Sequence, residues 1–169
     1  APTMPLAQVK AMFNLDMVGR LEKDTRRLNV QGIGTSPVWK DMVEAHNDDE
    51  VFDLALIEDG HGSSDHSSFY AKDIPVLFLF TGLHTDYHRP TDDADRVNYE
   101  GQEDVVRYAA ELVEASDALD ALPFTRVQKA KEERVARFNV YVGTIPDYAH
   151  TENGFGMTGR SAGGDLEKD

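Results

Sequence analysis

The run Ile74-Pro75-Val76-Leu77-Phe78-Leu79-Phe80 carries no polar side chain, so a strand built from it must be covered on both faces, as in the parallel sheet of an α/β protein. Pro75 stands at its beginning, where a missing N–H is tolerated. The run discharges into Gly82-Leu83-His84-Thr85-Asp86-Tyr87-His88-Arg89-Pro90-Thr91-Asp92-Asp93, and a helix-like segment follows from Asn98. A loop of this kind, with two imidazoles, a phenol and several carboxylates, sits where α/β enzymes put their chemistry. It reads as a metal loop, and one loop cannot complete a metal site.

Partners must therefore come from elsewhere in the chain. Residues 9–19 predict a largely buried strand, with Val9, Ala11, Met12, Phe13, Leu15, Met17 and Val18 apolar and Asp16 as the one charge near its end. A carboxylate buried there must be paired, hydrogen-bonded or bound to metal; a turn whose backbone N–H groups satisfy Asp16 is an equal alternative. Residues 28–34 predict a second strand ended by glycines. Ser36-Pro37 then reads as the start of a helix running through Asn47, with Val38, Trp39, Met42, Val43 and His46 on its stripe and His46 as a surface or helix-end residue. Residues 51–57 predict another strand. The loop Glu58-Asp59-Gly60-His61-Gly62-Ser63-Ser64-Asp65-His66 leaves it as a second candidate wall of a site, and Ser64 or Asp65 is a natural cap for a short helix over 67–72.

From Asn98 to about Leu119 the spacing predicts a long amphipathic helix, with Val105, Ala109, Leu112 and Leu119 on one stripe and Val106, Ala110 and Val113 beside it. Alternating strands and helices with polar loops after the strands give an α/β class for residues 1–122. Residues 123–137 are rich in Lys, Arg and Glu and read as a charged linker. Residues 138–145 restore strand-like alternation, and too little follows to bury a core of its own, so 138–169 is expected to be the truncated opening of a β-rich domain.

Composition narrows the chemistry. Lys and Arg number 17 against 31 Asp and Glu, a formal charge of -14, which disfavours nucleic acid and anionic membrane as partners. With no cysteine, thiolate metal sites, disulfides and a Cys nucleophile are excluded, and any zinc must be held by His and carboxylate. No stretch approaches the roughly 20 apolar residues of a membrane span, and Ala1-Pro2-Thr3-Met4-Pro5 is no signal peptide; a chain beginning there reads as processed or as a piece of something longer. Ser63, Ser64, Ser67, His66, His88 and several acids offer the residue types of a Ser/His/Asp triad, but no Gly-x-Ser-x-Gly elbow is present, nor a phosphate-cradling glycine loop. Metal-assisted hydrolysis fits better: Asp16 and His88 are ligand types zinc takes, and Tyr87 could donate its O–H to a developing oxyanion.

Taken together, Asn14-Leu15-Asp16-Met17-Val18-Gly19, Ser64-Asp65-His66-x-x-Phe69 and Tyr87-His88-Arg89-Pro90-Thr91-Asp92 resemble, in order and spacing, the C-terminal half of the co-catalytic di-zinc aminopeptidases, which include bacterial leucyl aminopeptidases. The resemblance implies a three-layer fold, a mixed sheet flanked by helices and present only in part. It implies Asp16 as the carboxylate that completes one zinc, His88 as the imidazole on the other, and Tyr87 as the hydrogen-bond donor to the transition state. Asp65 and His66 match a pocket-side loop of the family with no role assigned. His84 is a loop or supporting histidine, and Asp92 either orients His88 or is solvated. Two zincs are implied per intact catalytic domain, with few or none in this chain alone, because the family's His-x-Asp and Glu-Glu segments lie upstream of the Asp16 motif and only ten residues or so precede that motif here. Expected partners are a peptide substrate and the missing N-terminal half, with self-association of the fragment through an exposed sheet edge. The resemblance favours a periplasmic or secreted setting.

The tail has its own likeness. Tyr141-Val142-Gly143-Thr144, followed by Gly156-Met157-Thr158-Gly159 and Ala162-Gly163-Gly164-Asp165-Leu166-Glu167-Lys168, resembles the opening of a protease-associated PDZ domain, in which Tyr141, Val142, Gly143 and Thr144 would form the loop that takes a peptide carboxylate. Two further readings stand beside the aminopeptidase: a non-catalytic peptide-binding module on the same scaffold, and a glutaminyl-cyclase-like zinc enzyme.

Overall fold

The computed structural model describes residues 4–47, 50–127, 144–146 and 157–160. The chain divides into two compact units, Ala1–Val127 and Gln128–Asp169. In the first unit the strands are β1 (Met12–Leu15), β2 (Arg27–Gln31), β3 (Asp53–Ile57) and β4 (Val76–Phe80), and the helices are α1 (Trp39–Ala45), α2 (His66–Tyr70) and α3 (Tyr99–Asp117). The four strands form one mixed sheet in the order β1-β4-β2-β3. β1 runs parallel to β4, with Leu15 opposite Leu79, and β2 runs parallel to β3. Between them β2 and β4 are antiparallel, with Val30 opposite Leu79.

β4 is buried at every position, as its sequence requires. Its side chains divide by the period of two: Leu77 and Leu79 join Leu28, Val30, Trp39, Val43, Val105, Tyr108 and Leu112 in the main core beneath α1 and α3. Phe78, on the opposite face, stacks on His66 of α2, with ring centroids 4.5 Å apart. The apolar run is thus covered on both sides. Burying each such aliphatic side chain contributes roughly 1.5–3 kcal/mol before conformational entropy is charged against it.

The mixed sheet that the resemblance implies is present, and only the all-parallel surroundings read from the apolar run need correction. An all-apolar strand looks the same whichever way its neighbour runs, and β4 is parallel to only one of its two neighbours. The C-terminal ends of β2 and β3 therefore lie at the opposite edge from those of β1 and β4. Gly32 makes the turn there: its φ is +92°, and a Cβ would lie 2.4 Å from the Val76 carbonyl oxygen. Thr35 ties the same edge by accepting from Val76 N–H at 3.0 Å and from Trp39 Nε1–H at 3.2 Å.

Helix starts also differ from expectation. α1 begins at Trp39, not at Pro37, and the Ser36 hydroxyl caps nothing: it is buried without a hydrogen-bond partner. Asp65 occupies the cap position of α2 but makes no side-chain cap bond. α3 begins as the sequence predicts, with the Asn98 side chain accepting from Gly101 N–H. Its buried stripe includes Val105, Tyr108, Ala109 and Leu112, while Val106 and Val113 are exposed. Tyr108, absent from the expected stripe, buries its ring and donates its hydroxyl to Val43 O at 2.7 Å, and burial pushes its phenol well above the usual range.

Of the segment read as a charged linker, residues 123–127 belong to the first unit: Thr125 N–H donates to Thr35 O at 2.8 Å, and Val127 N–H donates to the Tyr70 hydroxyl at 3.0 Å. Residues 128–143 lie outside the described residues. In the second unit β5 (Thr144–Pro146) pairs antiparallel with β6 (Met157–Arg160). Among the described residues no helix is long and apolar enough to cross a membrane.

Candidate functional site

β1 and β4 run side by side and end together, so the loops that leave them are neighbours. Asp16 is the first residue past β1, and its N–H extends the ladder by one step to Leu79 O at 3.3 Å. The strand is shorter than residues 9–19, and Asp16 is exposed at its end; no buried charge has to be satisfied there. The next residue, Met17, adopts φ 56°, and its carbonyl accepts from both Thr81 N–H and the Thr81 hydroxyl, lacing the two loops together.

The loop after β3 leaves from the far edge of the sheet and crosses back to reach Asp16. There the Ser64 hydroxyl donates to Asp16 Oδ2 at 2.7 Å. Asn14 fixes that direction, because its Nδ2 donates to Ser64 Oγ at 2.7 Å and leaves the serine hydrogen free to point at the carboxylate. The same amide nitrogen lies 3.5 Å from His66 Nδ1. An amide can only donate there, so the imidazole proton belongs on Nε2. Nε2 is buried without a partner under Gly62, where a Cβ would come within 2.6 Å of it. Burial lowers the His66 pKa to about 4, outweighing Asp16, Asp59 and Asp65, and the ring is neutral at pH 7.

The loop after β4 is a knot of ion pairs. Arg20 Nη2 lies 2.5 Å from Asp92 Oδ1 and 3.5 Å from Asp86 Oδ2. His84 Nε2 lies 3.7 Å from Asp92 Oδ2, and the Thr91 hydroxyl donates to Asp86 Oδ1 at 2.7 Å. The Thr91 hydroxyl, with Arg96 and Arg20, holds the Asp86 carboxyl below the usual range. Tyr87 and His88 stack on each other at 3.8 Å, with His88 exposed at φ 55°.

The structure thus brings Asp16 together with Ser64, His84 with Asp92, and Tyr87 with His88. Asp92 faces Arg20 and His84. Asp65 is exposed and His66 is fully buried. Thr144 opens β5, while Tyr141, Val142 and Gly143 lie outside the described residues. Asp16 and His88 offer the oxygen and nitrogen donors zinc prefers, but among the described residues no group of three or more His, Asp or Glu could hold a metal ion. These residues do not by themselves fit a zinc ion. Sequence reasoning assigned no role to Asn14 or Arg20. A polar residue inside an apolar strand could have drawn attention to Asn14. Arg20 leaves no local trace, because its partners lie 66 and 72 positions away.

Residues 1–113 match the model of Peptidase family M28. Among solved structures the chain is similar to the LapA aminopeptidase of Legionella pneumophila, at 23% identity over 66% of this chain and 32% of that one, with a TM-score of 0.55. It is similar to the aminopeptidase of Aneurinibacillus sp. strain AM-1, at 25% identity over 76% and 29% of the two chains, TM-score 0.52. It also resembles BSAP, a zinc aminopeptidase from Bacillus subtilis, at 29% identity over 75% and 30%, TM-score 0.51. The chain therefore spans about a third of the length of these structures. No curated protein matches it.

Proposed function

The chain belongs to peptidase family M28, and we propose that it is part of a zinc-dependent aminopeptidase that cleaves the N-terminal peptide bond of peptides. The observation that supports this reading is that Asp16 and the Tyr87–His88 turn lie on the loops that leave the adjacent parallel strands β1 and β4. In this reading Asp16 and His88 would each supply one donor to a two-zinc site completed by residues outside this chain, and zinc held there would polarise the scissile carbonyl and activate water. The remaining ligands and the general-base Glu belong to a part of the catalytic domain outside this chain, and the chain alone is inactive. Tyr87 donates a hydrogen bond to the oxyanion, a role whose worth is greatest in the transition state. The tail, 138–169, is read as the opening of a PDZ-like domain from the segments 141–144, 156–159 and 162–168.

The test is Tyr87→Phe in the intact peptidase. The substitution should lower kcat by about tenfold to a hundredfold while changing KM little. Unchanged kcat removes Tyr87 from the mechanism.

A further inference from the structure

Two acids of the loop after β4 converge on a single guanidinium that belongs to the loop after β1. Arg20 keeps only 18% of its side chain exposed, and its Nη2 meets Asp92 Oδ1 at 2.5 Å and Asp86 Oδ2 at 3.5 Å. The second oxygen of each acid is engaged within its own loop: Asp86 Oδ1 accepts from the Thr91 hydroxyl, and Asp92 Oδ2 faces His84 Nε2. These contacts bracket the turn that carries Tyr87 and His88.

The backbone bonds within the turn are short-range: Tyr87 N–H to His84 O at 3.1 Å, Arg89 N–H to Asp86 O at 2.8 Å and Asp92 N–H to Arg89 O at 3.1 Å. His88 sits at φ 55°, a region that side chains other than glycine enter at a cost and keep only where surroundings over-determine them. The segment carries Asp86, Asp92, Asp93 and Asp95 against its own Arg89 and Arg96, and Arg20 adds a cation from a different loop to Asp86 and Asp92. A planar guanidinium with several donors can serve two carboxylates at once, where a lysine ammonium acts as a point charge.

We infer that Arg20 is a positioning residue, whose guanidinium clamps Asp86 and Asp92 so that the turn between them presents Tyr87 and His88 in one conformation. Its consequence for catalysis rests on the peptidase reading above; the clamp itself does not.

The test uses chymotrypsin cleavage after Tyr87, followed by mass spectrometry in the wild-type chain and in Arg20→Ala. Cleavage of a folded loop follows the population of its opened form, so Arg20→Ala should raise the rate about tenfold. Wild-type cleavage should also rise as salt is increased from about 0.05 to about 1 M. Arg20→Lys should restore part of the protection. Equal cleavage in wild type and Arg20→Ala overturns the clamp. Where Arg20→Ala loses its cooperative melt, Asp92→Asn reports on the same contact, and unchanged cleavage in that variant is equally fatal. In the intact peptidase, Arg20→Ala should lower kcat more than it raises KM, with partial rescue by Arg20→Lys. Faster cleavage with unchanged kcat overturns the positioning role. Failure of the peptidase reading shows separately, as no turnover by the intact wild-type protein, and leaves the cleavage result as it stands.

Discussion

Ser64 donates its hydroxyl hydrogen to Asp16 Oδ2 at 2.7 Å, across 48 positions of sequence. The bond records how the loop after β3, which leaves the sheet at the opposite edge, is carried back to the end of β1. Asn14 gives the bond its polarity, and buried His66 stands behind Asn14. The carboxylate at the strand end is therefore held on one oxygen by a chain of contacts that reaches the core.

Ser64→Ala removes the donor to Asp16 and leaves the buried Asn14 amide short of an acceptor. The loss should be about 1–2 kcal/mol in urea unfolding, and Ser64→Thr, which keeps the hydroxyl, should recover most of it. Wild-type stability in Ser64→Ala would mean that the bond contributes nothing.

His66 predicts a specific acid limb. Its pKa is about 4 in the folded chain against 6.5 for an ordinary histidine. Between those values the unfolded chain binds more protons, so stability falls as pH drops below 6.5 and the loss is complete below about 4. Above about 6.5 the contribution is fully present. The loss should be on the order of 3 kcal/mol, read as the difference in pH dependence between wild type and His66→Gln. Parallel profiles would show that His66 does not stay neutral.

Much of this architecture was legible in the sequence. The apolar run at β4, the Asn98 start of α3 and the strand-then-polar-loop order follow from local pattern, and all are present. The antiparallel β2–β4 pairing was not legible, because a continuous apolar strand gives no sign of its neighbour's direction. Ser36 and Asp65 look like caps, but α1 starts only at Trp39, beyond the reach of Ser36, and Asp65 itself has α-helical backbone, so neither makes a cap bond. The candidate site divides in the same way. Its chemical residue types stand out in the loops, whereas the Ser64–Asp16 and Arg20–Asp92 contacts join residues 48 and 72 positions apart and have no local signature.

Gly32→Ala should cost at least about 2 kcal/mol, because the turn requires positive φ and a Cβ would meet the Val76 carbonyl at 2.4 Å. Thermal unfolding measures the loss directly. A variant as stable as wild type would mean that the β2 turn can relax away from β4.

β1 pairs with β4 on one side, and among the described residues no strand pairs with the other. Beside that edge lies a groove of about 630 Å³, lined by Met4, Val9, Phe13, Val113 and Leu122 among others, with Met4 and Val113 nearly half exposed. An open edge next to exposed apolar surface favours association. The isolated chain should dimerise with rising concentration in sedimentation velocity, and Val113→Glu should weaken the dimer by about tenfold. A monomer at every concentration would contradict this.

On the proposed function, this M28 chain contributes one corner of a two-zinc peptidase site. Zinc titration of the 169-residue chain, followed by calorimetry and metal analysis after gel filtration, tests it most directly. No stoichiometric tight zinc is expected on the isolated chain. Two tightly bound zincs per chain would contradict it.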